Sequence, residues 1–428
     1  MEFITVLKES LAMHIAQFLE DWAGVSVAES LSEMEQAVQN LTQTVGQQVL
    51  SGWLEKQEPK YVALVSVCAC GEKAAYVRRR EAVTLTLQGK VAYRRAYYVC
   101  GCGQGHSPLD DRLSIAPGQM SGEVKTLAAL FGVQGAFATS SATLARLLPL
   151  ELSPNSIRAA CQQAGEAVID HEADLLEAAQ DLHRQTATQR QPVAPKQVYM
   201  SLDGFQAPFE DGWHELKAGV FWSLDSAGQA QQQQYFVDTA PADGFADLVW
   251  ARAFALGADL ANQLVFIADG SAWIWSIANR LFPNAIHIID WFHAASYLGK
   301  IAADAFGEGT PAAVAWFDQH KALLHNGHLA ALMRACRTLR PQAPTAADAA
   351  RRYFANHRTR LRYPKYRALG LQIGSGVMES ACKQIGLQRL KLSGARWSKE
   401  GARKLAKARA AFLCDKGNFL PFTLPQVA

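Results

Sequence analysis

The order of strand-like and helix-like runs between residues 197 and 295 constrains this 428-residue chain more than any other feature. Residues 198–202 read as a strand that stops at Asp203, and 216–223 and 234–237 read as two more. A helix-like run at 243–256 follows, then a strand at 264–268 that stops at Asp269, a helix from Ala272, a strand at 285–289 and a further helix from Trp291. Three strands, helix, strand, helix, strand is the order of the RNase H-like fold, and in that fold the first strand and the end of the fourth lie side by side. The residues that end those two strands, Asp203 and Asp269, then meet at one edge of the sheet.

An RNase H-like α/β core gives the acids a chemical reading. Glu379 opens a helical, strongly basic segment, and with Asp203 and Asp269 it makes a trio of carboxylates. Hard cations such as Mg²⁺ or Mn²⁺ prefer oxygen ligands, and phosphodiester chemistry at neutral pH uses a pair of them about 3.5–4 Å apart. The basic segment fits a polyanionic partner. Residues 351–416 hold 17 Lys or Arg against three acids, a local charge of +14; the whole chain carries +3, so the rest carries −11. Lys383, Arg389, Lys391, Arg396, Lys399, Arg403 and Lys404 are the candidate DNA contacts around Glu379, and Trp397 either stacks on an unpaired base or anchors its helix.

The chain is too long for one ordinary core, and the reading is a multidomain α+β protein. Residues 1–60 read as helices, with Leu31, Met34, Val38 and Leu41 at helical spacing, for packing or dimer contact. Residues 61–115 alternate as two strands joined near Gln88–Gly89–Lys90, with Cys68/Cys70 before them and Cys100/Cys102 after. Paired thiols at both ends of a hairpin describe a zinc ribbon, in which Zn²⁺ stands in for a core too small to form. One residue rather than two separates each pair, and His106 is a substitute ligand; reduced cysteines around an ordinary hairpin are the competing reading. Residues 116–185 form three helices, the last begun by Ser153 and Pro154, which makes a helix-turn-helix-like module with Asn155, Ser156 and Arg158 toward DNA, or plain helical packing. A polar stretch at 184–196 reads as a linker; the core occupies 197–295 and 370–416, interrupted by an all-helical insertion at 296–369. With no secretory leader and no uninterrupted apolar run of membrane length, the expectation is a protein of the cytoplasm, associated with the nucleoid, with no membrane partner.

Several runs resemble a known family. SLDG at 201–204, ADGSAWIWSIANRLFPNAIHIIDWFHAASYL at 268–298, GSGVMES at 374–380 with Arg396–Trp397, and YYVCGCGQGHSPLDDRL at 97–113 are similar to bacterial insertion-sequence DDE transposases of the ISKra family, relatives of the Mutator-like group. The resemblance implies nicking of DNA at element ends, joining of the freed 3′-hydroxyl to target DNA, and assembly as a homodimer or higher oligomer on double-stranded DNA. By position it assigns Asp203, Asp269 and Glu379 to the metal-binding triad. Where Mutator-like enzymes usually have Cys-x2-His, this chain has Asp290-Trp-Phe-His293, so Asp290 and His293 stand either behind the metal ligands or against DNA. Two other readings use parts of the same sequence. A structure-selective RNase H-like nuclease needs the triad but not the amino-terminal modules, and a domesticated DNA-binding regulator needs the modules but not the triad.

Overall fold

The computed structural model describes residues 2–23, 30–59, 61–181, 196–415 and 419, so most of the 184–196 stretch lies outside the described residues. The chain divides into two compact units, Met1–Cys161 and Gln162–Ala428. Among the described residues no helix is long and apolar enough to cross a membrane.

In the first unit α1 (Glu2–Ala23) and α2 (Leu31–Lys56) are helices, and Ser30 caps α2 by accepting from the Glu33 N–H at 3.3 Å. Strands β1 (Val65–Val67), β2 (Lys73–Thr86), β3 (Gly89–Cys100) and β4 (Gly105–His106) pair antiparallel in chain order. The long hairpin turns at Leu87 and Gln88, one step earlier than the alternation suggests, because Gly89 takes a left-handed φ of 89° and already pairs with Thr86. Val91 and Tyr93 bury one face of the hairpin against Leu54 of α2 and Leu109 of α3 (Pro108–Leu113). Asp110 of α3 closes this core: it accepts from the Tyr93 hydroxyl at 2.7 Å and from Arg95 Nε at 2.9 Å. Helices α4 (Gly122–Gly132), α5 (Phe137–Leu147) and the first turns of α6 (Pro154–Gln180) follow, the rest of α6 from Gln162 belonging to the second unit. A Cβ on Gly132 would sit 2.4 Å from Cys161 Sγ and 2.7 Å from Ile157, so α4 and α6 touch there through glycine.

In the second unit β5 (Gln197–Phe209), β6 (Gly212–Leu224), β7 (Ala230–Asp238), β8 (Gln263–Ala268) and β9 (Ile286–Ile289) form one sheet in the order β7-β6-β5-β8-β9. The first three strands are antiparallel, whereas β8 and β9 run parallel to β5. Helices α7 (Ala242–Ala255) and α8 (Ala272–Leu281) make the crossovers. One expectation about β5 is corrected. The strand does not stop at Asp203 but runs six residues further, with Asp203 opposite Ala218 of β6. What stops there is its pairing with β8, whose last partners are Met200 and Phe266. Gly204 lies inside the strand opposite Lys217, with the Glu215 carboxylate close over its backbone.

After β9 come α9 (Trp291–Phe306), α10 (Pro311–His325), α11 (Leu329–Thr338), α12 (Pro344–Asn356), a 3₁₀ turn (Arg358–Arg360) and α13 (Tyr363–Ala368), so this stretch is all-helical. The Tyr363 and Tyr366 hydroxyls donate to the carbonyls of Ile289 and His287 at 3.2 Å and fasten it to the edge strand β9. The chain then re-enters the core through α14 (Gly376–Cys382), a π-helical segment (Lys383–Leu390) and α15 (Lys399–Cys414).

Helix α15 packs against β7 and is buried along most of its length. It meets α6 so closely at Gly165 that a Cβ would lie 2.0 Å from the Lys404 carbonyl oxygen. That approach encloses basic side chains, and an enclosed charge needs partners. Lys407, 1 % exposed, pairs with Glu172 and, at 2.7 Å, with Asp238. Arg403 also reaches Asp238 at 3.1 Å, and Arg252 reaches Glu172 at 2.7 Å. Burial pushes the Asp238 carboxyl up, but Lys407 and Arg403 outweigh it and hold it below the usual range. Its stabilising share is therefore present at neutral pH and is lost as acid protonates it, below about pH 4. Lys407→Ala should destabilise the second unit by about 3 kcal/mol, the low end for breaking a buried pair because each carboxylate keeps an arginine. Denaturant unfolding at pH 7 checks this, and a loss under about 1 kcal/mol would contradict it.

Candidate functional site

Two groups of side chains stand out, a cluster of thiols and a set of acids at strand ends. The first is the set Cys68, Cys70, Cys100 and Cys102, whose sulfurs all lie within 4.8 Å of one another. The one-residue spacing works because both pairs sit on the same turn. The Cys68 N–H donates to the Glu72 carbonyl and the Gly71 N–H to Cys68; the Cys100 N–H donates to Gln104 and the Gly103 N–H to Cys100, all at 2.9 Å. Gly71 and Gly103 close these turns at left-handed φ values of 88° and 86°. The strand pairing carries the two turns to one end of the sheet, where Cys68 and Cys102 lie 3.8 Å apart and Cys70 and Cys100 3.6 Å. Tetrahedral zinc with bonds of about 2.3 Å sets its sulfurs about 3.8 Å apart, so the cluster can hold an ion such as Zn²⁺. A hydrogen bond from the Glu72 backbone, with help from the neighbouring cysteines, draws the Cys70 thiol down to about 7, while Cys68 is raised and Cys100 is pushed up to about 12, so without a cation the negative charge collects on one of the clustered sulfurs. His106 is not part of the set; its ring stacks on Tyr98 and its Nε2 lies 3.2 Å from Ser66 Oγ.

The second group lies where the parallel strands end. Asp203 follows the last β5–β8 partners, Asp269 follows β8, and Asp290 follows β9. Burial pushes the Asp203 carboxyl up, and the negative charge of Asp269 adds to this. The Gly204 N–H donates to Asp203 at 2.7 Å and the Cys382 thiol at 3.5 Å, which offset part of the cost. Asp269 is held by Ser271, whose N–H and hydroxyl donate to its two oxygens at 2.8 and 2.9 Å. Glu379 is exposed on α14, one turn before Cys382, and both its charge and that of Asp203 raise the Cys382 thiol, after burial itself. The three acids thus share one neighbourhood. Among the described residues, however, only the four cysteines lie close enough together to share one ion as they stand.

Aromatic and imidazole rings wall this corner, and apart from His293 they escaped the sequence reading. Tyr353 stacks on Tyr297 at 4.1 Å and lies 5.9 Å from His293 and 4.9 Å from His357. Gly270 makes room for it, since a Cβ there would meet the Tyr353 ring at 2.3 Å. The Tyr353 phenol is pushed up chiefly by burial, then by Tyr297, Asp269 and Asp290. Cys382 had a usable signal, because three residues after Glu379 it shares that helix face. Tyr353 and His357 come from an insertion whose sequence shows only helical periodicity.

Asp290 has a defined job. Only 1 % exposed, it caps α9 by accepting from the His293 N–H at 2.6 Å, and its other oxygen accepts from the Ser375 N–H at 2.5 Å. It therefore ties the start of α9 to the loop that launches α14 and Glu379.

The basic candidates divide. Arg158, Lys383, Arg396 and Lys399 are exposed. Lys391 lies over the Trp213 ring at 5.8 Å. Arg389 is corrected: at 1 % exposure, with its guanidinium 5.3 Å from the Trp397 ring, it belongs to the core. Trp397 anchors the chain, bridging to Phe209 and donating to the Leu390 carbonyl at 2.8 Å. Arg403 is committed to Asp238, and Lys404 to Glu166 and Glu400. A charge count cannot anticipate this, because the balancing acids come from distant parts of the chain.

Scanned against protein-family models and against curated proteins, the chain matches none.

If the cysteine cluster holds zinc, protein purified without chelator should carry close to one equivalent by elemental analysis. Cys100→Ser should lower that content and loosen the hairpin, since a unit with so small a core draws much of its folding free energy from the metal. Less than about half an equivalent in wild-type protein would count against the site.

Proposed function

We propose that this chain is a DDE transposase, with an RNase H-like core formed by the second unit, acting on double-stranded DNA at insertion-sequence ends. The observation that carries the reading is the sheet order β7-β6-β5-β8-β9, with Asp203 and Asp269 at the ends of adjacent parallel pairings and the Asp269 charge adding to burial in raising the Asp203 carboxyl. Two half-buried carboxylates in one corner are less favourable without a cation, which is what a divalent-metal site requires of its ligands. In this reading Asp203, Asp269 and Glu379 hold Mg²⁺ or Mn²⁺. The bound ions would supply activation of an attacking oxygen and neutralisation of the departing one in phosphoryl transfer.

The side chains have separable tasks. Asp203 is fixed by β5 and by its bonds from Gly204 and Cys382; Asp269 is fixed by Ser271. Glu379 is the adjustable ligand, exposed on a short helix that leads into a π-helical segment, and its approach closes the set around a substrate. Asp290 holds the loop of Ser375 in place, so it positions Glu379 without binding the ion itself. His293, with its ring 5.9 Å from the buried Tyr353, stands at the same corner and is suited to orient a phosphate or a sugar. The exposed bases Lys383, Arg396 and Lys399 supply charge for DNA beside it. The wider spacing of the carboxylates also suits the runner-up, a DNA-binding regulator that no longer cuts.

The test is cleavage and strand transfer on the DNA flanking the element, with Mg²⁺ or Mn²⁺. Asp203→Asn, Asp269→Asn and Glu379→Gln should each abolish product, by 10³-fold or more on the order of an activated electrostatic site, while end binding persists. Asp290→Asn should leave measurable activity. Stability adds an independent sign. A carboxyl raised in the fold contributes stability at low pH and loses it as pH rises through its folded pKa, so Asp203 is a liability at pH 7. Asp203→Asn should raise the apo Tm at pH 7, by about 2–4 °C per kcal/mol relieved, with the gain fading toward pH 4 and Mg²⁺ stabilising only the wild type. Unchanged cleavage in all three variants of a folded protein would leave the regulator as the better account.

A further inference from the structure

We infer that a cationic pocket at the edge strand β9, built by Arg360, Arg362 and Lys365, binds the phosphate backbone of a nucleic-acid strand, and that this pocket rather than α15 is the principal phosphate contact of the second unit. The inference deepens the transposase reading and rests on it for the identity of the strand. The pocket has a volume of about 380 Å³ and is lined by Asn279, Ala285, Ile286, His287, Thr359, Arg360, Arg362, Lys365 and Tyr366, with no carboxylate among them.

Three observations carry it. First, the +14 of residues 351–416 is unevenly available. Arg403, Lys404 and Lys407 spend their charge on Glu172, Asp238, Glu166 and Glu400, while Arg389 and Arg409 are buried. Arg358, Arg362 and Lys365 are exposed and form no ion pair among the described residues. Second, Arg360 is set in place without an acid. Its guanidinium lies 4.2 Å over the Trp275 ring and within 3.3 Å of both Asn279 Oδ1 and His357 Nδ1. A guanidinium held by neutral groups keeps its full attraction for an anion and has little rotamer freedom left to lose. Third, the pocket is packed against the acidic corner through buried side chains. His357 contacts Tyr353 and Trp275, and the Trp275 indole donates to the Asp269 carbonyl at 2.6 Å. The packing fixes Arg360 relative to Asp269, so a bound phosphate in the pocket keeps a set position with respect to that corner. Polar Asn279, Thr359 and His287 offer contacts to phosphate or sugar but no flat apolar slot for a base, which points to backbone binding without sequence choice.

The test compares wild type with Arg362→Ala/Lys365→Ala, both surface positions, and with Arg362→Gln/Lys365→Gln as a second double variant; thermal melting verifies that each is folded. Duplex DNA binding is measured by fluorescence anisotropy from 0.1 to 1 M salt. Losing two phosphate contacts should flatten the log–log salt slope by about 1.8, equivalent to a roughly 60-fold weaker affinity at 0.1 M when the proteins are matched at 1 M. An unchanged slope in both variants, or no DNA binding by the wild type, overturns the proposal. Inorganic phosphate at constant ionic strength is the second arm. Sub-millimolar phosphate binding that the variants lose, with DNA binding unaffected, would identify a free-anion site and also overturn it. Cleavage is scored separately: a pocket-dependent slope without cleavage sinks the transposase reading and leaves the pocket, whereas cleavage with an unchanged slope does the reverse.

Discussion

The parallel pairing of β5 with β8 is the constraint on which the second unit depends. Four residues of each strand lie in register, ending at Met200 and Phe266, and both chains leave that pairing toward the same edge carrying an aspartate. The pairing is buried from both sides, by Tyr199 stacked on Trp222 and by Phe266 against Trp275. A rigid apolar support of this kind keeps two carboxylates together against their repulsion. The Asp203 carboxyl is pushed up first by burial and then by Asp269, and the Gly204 N–H, the Cys382 thiol and His293 offset part of this. A corner that holds negative charge mostly with neutral donors is suited to a cation.

The rest of the unit is arranged around that corner. Asp290 turns a third strand end into a clamp between α9 and the Ser375 loop, and so couples the insertion to α14. The insertion in turn provides Tyr297, Tyr353 and His357 as walls and the 3₁₀ turn with its arginines as an approach. Helix α15 closes the far side on β7 through a buried five-charge network. Its lysines and arginines are structural for the same reason that they are numerous: a basic helix laid on acids of α6 and β7 is neutralised where it packs.

Much of this was legible in the sequence, for identifiable reasons. The strand order could be read because each buried strand is a short apolar run bounded by polar residues, and the parallel pairing follows from the helices between them. The apolar run ends at Leu202, yet β5 continues to Phe209 because its antiparallel pairing with β6 holds across Asp203 and Gly204. The cysteine set could be read from its symmetry; its short spacing looked wrong only until Gly71 and Gly103 were seen to close equal turns. The basic segment was the least legible, since Lys407 meets Glu172 across 235 residues of sequence and Arg403 meets Asp238 across 165. Charge counting along the chain is blind to such pairs. Trp397 could equally have been a base-stacking residue until its bridge to Phe209 and its bond to Leu390 fixed it as an anchor.

The central claim, that the carboxylates at the strand ends form a divalent-metal site, is tested most directly by the anomalous scattering of Mn²⁺ soaked into crystals of the protein bound to duplex DNA. The account predicts manganese bound by Asp203 and Asp269 at about 2.2 Å, with Glu379 drawn in from solvent and Asp290 still capping α9. Well-ordered carboxylates with no manganese between them at millimolar Mn²⁺, or manganese bound by Asp290 in place of Asp269, would contradict it.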